Sequence, residues 1–204
     1  MVRDGYYYGI GLLAVAGIEW YLISSRSLTA FIVLLAIFFL WFFRDPERQV
    51  PTGASLAVSP ADGLITDCDW IETPQGSRLR ISIFLSVVDV HVCRTPIGGK
   101  VMAVDYRKGQ FTNAMNAESV MFNEQTLVIV NDGKVDVSFK LIAGLLARRI
   151  VCNLHEGDVV ERGQRIGMIK FGSRVDVLLP GDAQLQVTKG KRVKGGSTVL
   201  AKLV

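Results

Sequence analysis

His91 and His155 are the only histidines in this 204-residue chain, so any neutral-pH proton transfer by imidazole must use one of them. His155 lies in a turn-like stretch between Asn153 and Gly157 and reads as a solvated loop histidine. His91 stands in Phe84-Leu85-Ser86-Val87-Val88-Asp89-Val90-His91-Val92-Cys93-Arg94-Thr95-Pro96, just past a predicted strand, where loops present functional groups. The chemistry that fits such an imidazole is activation of a nucleophile, with an acid behind the base to orient it. Other chemistries lack their residues: there is no G-x-S-x-G nucleophile elbow, no glycine-rich phosphate loop and no H-E-x-x-H helix. Cys68, Cys93 and Cys152 have neither the number for a disulfide framework nor the spacing for a zinc knuckle or redox pair. They read as reduced, buried and cytosolic.

The elements that must position these groups fall into two parts. Half the residues are hydrophobic and only 21% are charged, too apolar for an ordinary soluble domain. The excess is concentrated in residues 6–23 and 28–43, separated by the polar Ser24-Ser25-Arg26-Ser27, which predicts a helical hairpin over residues 1–48. Each helix would be roughly 24 to 27 Å long against a hydrocarbon core of about 30 Å. Tyr6, Tyr7, Tyr8, Trp20, Tyr21 and Trp41 stand where a membrane interface would be. The expectation is an anchor in the cell membrane, spanning or deeply embedded. No small-x-small site closes the first stretch, so it reads as retained rather than cleaved. Arg3, Arg44 and Arg48 outweigh Arg26 of the loop, which puts both ends and the following domain on the cytoplasmic face. Arg44 and Arg48 either hold this topology or meet lipid headgroups. Glu19 is expected to face the partner helix or the interface. The net charge of +4 suits an anionic membrane surface better than nucleic acid, because no basic run is interleaved with aromatics.

Residues 49–204 read as a β-rich domain. Arg78-Leu79-Arg80-Ile81-Ser82-Ile83-Phe84 alternates as a strand does. Residues 127–131 and 135–141 flank Asp132-Gly133, a strong hairpin signal. Only residues 142–149 suggest a helical turn. Near the C-terminus, Gly157, Val160, Gly163 and Ile166 recur at an offset of 33 as Gly190, Val193, Gly196 and Val199, each copy reading as strand, glycine turn, strand. Such turns resemble those of biotinyl and lipoyl carrier domains. The predicted fold class is therefore mainly β: an N-terminal hydrophobic helical hairpin followed by a β-rich domain with biotinyl/lipoyl-like glycine-turn repeats.

Phe43-Arg44-Asp45-Pro46-Glu47-Arg48, Pro60-Ala61-Asp62-Gly63, Asp89-Val90-His91 and Gly167-Met168-Ile169-Lys170-Phe171-Gly172-Ser173-Arg174 resemble, in order, the blocks of the phosphatidylserine decarboxylases. Asn123-Glu124 and the stretch from Ile142-Ala143-Gly144 to Ile150 resemble the short bacterial and archaeal branch. The resemblance implies a proenzyme that cuts itself between Gly172 and Ser173, leaving a β chain of residues 1–172 and an α chain of residues 173–204. Ser173 would become a pyruvoyl group that forms a Schiff base with the lipid's serine amine and draws electrons as carbon dioxide leaves. That chemistry converts phosphatidylserine to phosphatidylethanolamine and asks for no metal or nucleotide. It also implies a heterodimer of the two chains, with a dimer of these as the family's expectation. Carried over residue by residue, Ser173 is the nucleophile, His91 the base and Asp62 its orienting acid. A glycine before the serine permits the strained turn that brings hydroxyl and carbonyl together.

This chain departs from the longer enzymes, which carry two histidines three apart where it has His91 and then Arg94. One imidazole would then serve both self-cleavage and decarboxylation. Arg94 cannot act as a base at ordinary pH; it either binds substrate phosphate or carboxylate or forms a structural ion pair, and Arg44 and Asn123 are the other candidates for binding substrate. Gly195-Gly196-Ser197-Thr198 mimics the cleavage sequence of the longer enzymes, but its Gly196-Ser197 aligns with Gly163-Gln164 in the repeat and reads as an ordinary turn. Two alternatives stand beside this reading: an archaetidylserine decarboxylase, whose substrate presents the same phosphoserine head, and a non-catalytic membrane-anchored carrier or adaptor. A carrier would present a lysine for modification, and no Met-Lys-Met or Asp-Lys-Ala occurs.

Overall fold

Small residues let the two apolar stretches meet as helices. In the computed structural model, α1 (Arg3–Leu22) packs on α2 (Arg26–Phe42), with Gly5, Gly9, Ala16 and Glu19 as the buried residues of α1 and Ala36 and Phe42 as those of α2. Gly9 accepts the Leu40 side chain where a methyl group would overlap it. Tyr8 packs on the Phe39 and Phe43 rings at 5.3 and 5.8 Å. Glu19 faces α2: its carboxylate accepts the Ser25 N–H at 3.1 Å and the Thr29 hydroxyl, which ties α1 to the start of α2. Among the described residues no helix is long and apolar enough to cross a membrane. The physical reason is plain in the sequence, since α1 contains Arg3, Asp4, Glu19 and four glycines while α2 has only 17 residues. The hairpin still exposes Tyr7, Ile10, Ile18, Trp20, Tyr21, Phe31 and Leu34.

The structure describes residues 2–74, 76–112, 114, 119–145, 149–170 and 172–204. They form two compact units, Met1–Glu47 and Arg48–Val204. In the second, β1 (Leu56–Val58), β2 (Gly63–Thr73), β3 (Gly76–Leu85), β4 (Val92–Arg94) and β5 (Gly99–Arg107) precede the short α3 (Ser119–Phe122). Then come β6 (Gln125–Asn131), β7 (Asp136–Ile142), β8 (Ile150–Cys152), β9 (Val159–Val160), β10 (Arg165–Ile169), β11 (Ser173–Pro180), β12 (Gln184–Leu185), β13 (Arg192–Val193) and β14 (Val199–Lys202). The fold is mainly β, as expected. The large sheet runs β13-β2-β3-β11-β7-β6-β5-β9, and two three-stranded sheets run β1-β14-β12 and β4-β10-β8.

Alternation sets the core. Leu79, Ile81, Ile83 and Leu85 of β3, Val175, Val177 and Leu179 of β11, and Val137, Phe139 and Leu141 of β7 are buried on one face. The predicted hairpin forms between β6 and β7: Asp132 Oδ1 accepts the Lys134 and Val135 N–H groups, and Gly133 takes φ +96°. The helical turn expected over residues 142–149 lies partly outside the described residues, and residues 143–145 are irregular.

The glycine repeat is real in three dimensions. Gly163 donates its N–H to Thr95 O, and Thr95 N–H returns to Gln164 O; in the second copy Gly196 donates to Ser59 O, and Ser59 N–H returns to Thr198 O. Both glycines are left-handed, at φ +75° and +76°. Val160 pairs with Gly99 at the head of β5, and Val193 with Gly63 at the head of β2. The likeness therefore extends to the β2–β3 and β5–β6 hairpins, with β11 and β7 as the two central strands of the large sheet. Gly196-Ser197 sits in the repeated turn.

Candidate active site

Ser173 opens the central strand β11, in register with Leu85, the last residue of β3. Beyond Leu85 the chain turns sharply, because Asp89 Oδ2 accepts the Ser86 N–H at 2.9 Å and the Ser86 hydroxyl at 2.6 Å. Asp89 Oδ1 accepts from Arg192 Nη1 at 2.8 Å, which ties this turn to β13. The turn delivers His91 to the start of β4. That strand pairs with β10, Val92 opposite Met168, and the His91 carbonyl accepts the Ile169 N–H at 3.3 Å. The segments 85–92 and 168–173 therefore meet at both ends, Leu85 opposite Ser173 in the large sheet and Val92 opposite Met168 in the smaller one. His91 and Gly172-Ser173 thus stand on the two segments that cross between these pairings, and both His91 and Ser173 are fully buried.

Local geometry marks the Gly172-Ser173 bond. Gly172 is left-handed at φ +55°. The Ser173 hydroxyl is buried and makes no hydrogen bond among the described residues. A buried hydroxyl without a partner costs free energy, so its retention points to a chemical role. On the far side of β11, Arg174 and Asp176 form a buried pair, Nε to Oδ1 at 2.6 Å and Nη2 to Oδ2 at 3.1 Å, with Nη2 also donating to Ser82 Oγ at 2.8 Å. Residue 174 is thereby held immediately after the bond.

Asp62 lies where residues 60–62 run beside β4, Pro60 O accepting the Arg94 N–H at 2.8 Å. Its carboxylate accepts Arg48 Nη2 at 2.7 Å and the Gly195 N–H at 2.8 Å. Burial pushes this carboxyl above its ordinary 3.8, against the pull of the Gly195 N–H and Arg48. Arg48, read as a topology or headgroup cation, is thus the ion-pair partner of Asp62. Arg94 is buried and donates Nη1 to Gly163 O at 3.0 Å, holding the first repeated turn. Asn123 is fully buried; its Oδ1 accepts the Thr112 N–H and hydroxyl, and its Nδ2 donates to Thr112 O and Ala143 O. All four ordinary bonds of that amide are used within the chain. Arg44 belongs to the helical unit, where it lies over the Trp41 ring at 4.2 Å and donates to Trp41 O. His155 is exposed beside Asp158. Cys93, near the crossing, has its thiol pushed up to about 12 by burial, so it is no nucleophile at neutral pH. Among the described residues no group of three or more His, Cys, Asp or Glu is gathered for a metal. A hollow of about 410 Å³ lined by Arg78, Leu127, Ile129, Lys140 and Leu178 lies toward the other end of β11 and contains none of the candidate residues.

The sequence profile of the phosphatidylserine decarboxylases matches residues 35–201. The chain belongs to the phosphatidylserine decarboxylase family. It is 45% identical over 202 residues to the phosphatidylserine decarboxylase proenzyme of Solibacter usitatus, covering 99% of this chain and 96% of that protein. It is 44% identical over 187 residues to the proenzyme of Desulfotalea psychrophila, covering 89% and 87%. The proenzyme of Symbiobacterium thermophilum is 42% identical over 207 residues, covering 100% and 95%. The carrier-like alternative falls with this assignment, because the family consists of carboxy-lyases.

Of the family blocks, Phe171 lies outside the described residues, whereas Gly172, Ser173, His91 and Asp62 are all placed around β4, β10 and β11. Arg48 gave no sign of its partner in the sequence, since its bond to Asp62 depends on how two irregular segments fold together, and nothing local shows that the Arg174–Asp176 pair within β11 is buried. Gly144 is a third such residue. A Cβ there would overlap the Gly172 carbonyl oxygen, although nothing in Ile142-Ala143-Gly144 points to Gly172.

Proposed function

We propose that this chain is a phosphatidylserine decarboxylase proenzyme that cuts its own Gly172-Ser173 bond and converts Ser173 to a pyruvoyl group. The observation that carries the reading is the buried Ser173 hydroxyl, without a hydrogen bond among the described residues, next to a left-handed Gly172 and at the crossing that also holds His91. In the first step Ser173 Oγ bonds to the Gly172 carbonyl carbon, the bond from that carbon to the Ser173 nitrogen breaks, and the hydroxyl proton passes to the freed nitrogen. His91 is the group that carries this proton. The ester is then cleared by β-elimination: the Ser173 Cα proton leaves, the Cβ–Oγ bond breaks and Gly172 departs as a carboxylate. The remaining enamine becomes an imine, which water hydrolyses to the pyruvoyl carbonyl with release of ammonia. A pyruvoyl group supplies an electron sink for decarboxylation of an amino acid headgroup.

The chain's own residues hold this centre. Arg174, clamped by Asp176 and Ser82, fixes the new end of β11. Asp62 joins Arg48 to Gly195, next to the Pro60 carbonyl that accepts the Arg94 N–H of β4, and Arg94 braces the adjoining turn. The apolar surface of α1 and α2 supports attachment to the cell membrane that holds the phospholipid, with the β-rich unit on the cytoplasmic face.

Intact mass spectrometry under denaturing conditions tests the reading. Two chains are expected, broken between residues 172 and 173, the smaller beginning with pyruvoyl, together with release of carbon dioxide from phosphatidylserine vesicles. Ser173→Ala should remain a single inactive chain. A break before Ser197, or a folded wild-type protein that stays one 22.4 kDa chain, overturns it.

A further inference from the structure

The Gly172 carbonyl is the electrophile of the proposed self-cleavage, and what lies against its oxygen is the backbone of Gly144. A Cβ built on Gly144 would overlap that oxygen, stand 3.1 Å from the Gly172 carbonyl carbon and 3.2 Å from the Ala114 Cβ. Gly144 is not among the glycines with positive φ, so an alanine would suit its backbone conformation. What demands glycine here is the closeness of the carbonyl. The approach is also fixed from behind. Ala143 donates its N–H to Glu124 O at 2.9 Å, and its carbonyl accepts Asn123 Nδ2 at 2.7 Å. Asn123 in turn is anchored by three bonds to Thr112, from its N–H and hydroxyl and to its carbonyl.

We propose that Gly144 is a positioning residue for self-cleavage: residues 143–144, held by Asn123, form a wall that fixes the Gly172 carbonyl so that Ser173 Oγ meets its carbon. This rests on Gly172-Ser173 being the scissile bond. The wall acts on the first step, in which the Oγ–C bond forms, the C–N bond breaks and the proton moves from Oγ to nitrogen. A methyl group at residue 144 pushes the carbonyl out of line, and a misplacement of about 1 Å lowers such a rate on the order of a hundredfold.

The test follows full-length wild type, Gly144→Ala, Ser173→Ala and the double variant Gly144→Ala with Ala114→Gly by intact mass over time, with and without neutral hydroxylamine, which splits esters but not amides. Thermal unfolding is recorded for each. Gly144→Ala is expected to stay a single chain about a hundredfold longer than wild type, to unfold as cooperatively as Ser173→Ala, and to release no fragment with hydroxylamine. The double variant, which removes the one side chain found against the new methyl group, is expected to recover part of the rate. Cleavage of Gly144→Ala at the wild-type rate overturns the proposal, as does a hydroxylamine-sensitive ester accumulating in it. Loss of its cooperative transition, or no recovery in the double variant, assigns Gly144 to folding instead and equally overturns it. Failure of the underlying reading shows separately, as wild type that is not cut between residues 172 and 173.

Discussion

At the scale of single residues, the ion pair between Asp62 and Arg48 is the feature that solution pH should reveal. The pair is mostly buried, and burial holds the Asp62 carboxyl above its ordinary 3.8. A carboxyl whose folded pKa exceeds its unfolded one binds protons more readily in the folded state. It therefore favours folding below that window and costs stability above it, the window starting near 3.8 and extending upward. Removing Arg48 strands the carboxylate with the Gly195 N–H alone and widens the window. Arg48→Met is thus expected to destabilise the protein by about 2 kcal/mol at pH 7. The deficit, measured by urea denaturation, should shrink as pH falls towards 5; a deficit that is constant or grows would mean that Asp62 is not its source. Ser173, His91 and Asp62 stand out in the sequence as candidates because imidazole is scarce and the motifs stand in order. The cation beside Asp62 does not, because Arg48 follows an apolar stretch and a membrane role accounts for it equally well.

At the scale of elements, β11 places Ser173 because it is paired with β3 along its whole length and with β7 from Arg174 to Leu178. Its Arg174–Asp176 pair is buried on both sides, so the pieces are strongly interdependent. Asp176→Ala leaves a guanidinium buried with Ser82 Oγ as its remaining partner of the cluster, and should cost about 3 kcal/mol. The double change Arg174→Met with Asp176→Leu removes the stranded charge and should cost less than the single one, measured by the urea midpoint of the full chain. A double variant worse than the single would show that shape, rather than charge, holds the strand. Elements specified by neighbours were legible: the Asp132-Gly133 hairpin and the glycine repeat both form as read. Pairing of β3 with β11 was not, because no local signal says which distant strands meet. Nor was the extension of the repeat to Gly63 and Gly99, since their hairpins share backbone geometry without sharing sequence.

At the scale of the whole molecule, the proposed cut divides the β-rich unit in a way that its sheets resist. Residues 173–204 carry β11, β12, β13 and β14. β11 lies between β3 and β7, β13 lies on β2, and β14 pairs with β1; only the pairing of β12 with β14 is internal to the smaller piece. The two pieces are therefore expected to stay together after cleavage, and the smaller one has little to fold on by itself. Before cleavage unfolding is unimolecular and its midpoint is independent of concentration. After cleavage it releases two separate chains, and the connection that held them at an effective concentration in the millimolar range is gone. Each tenfold dilution should then lower the apparent stability by about 1.4 kcal/mol. The prediction is that the urea midpoint of processed protein falls on dilution while that of Ser173→Ala stays fixed. Equal behaviour of the two would mean either that the chain is uncut or that the pieces do not part on unfolding, and a denaturing gel of the same samples separates these outcomes.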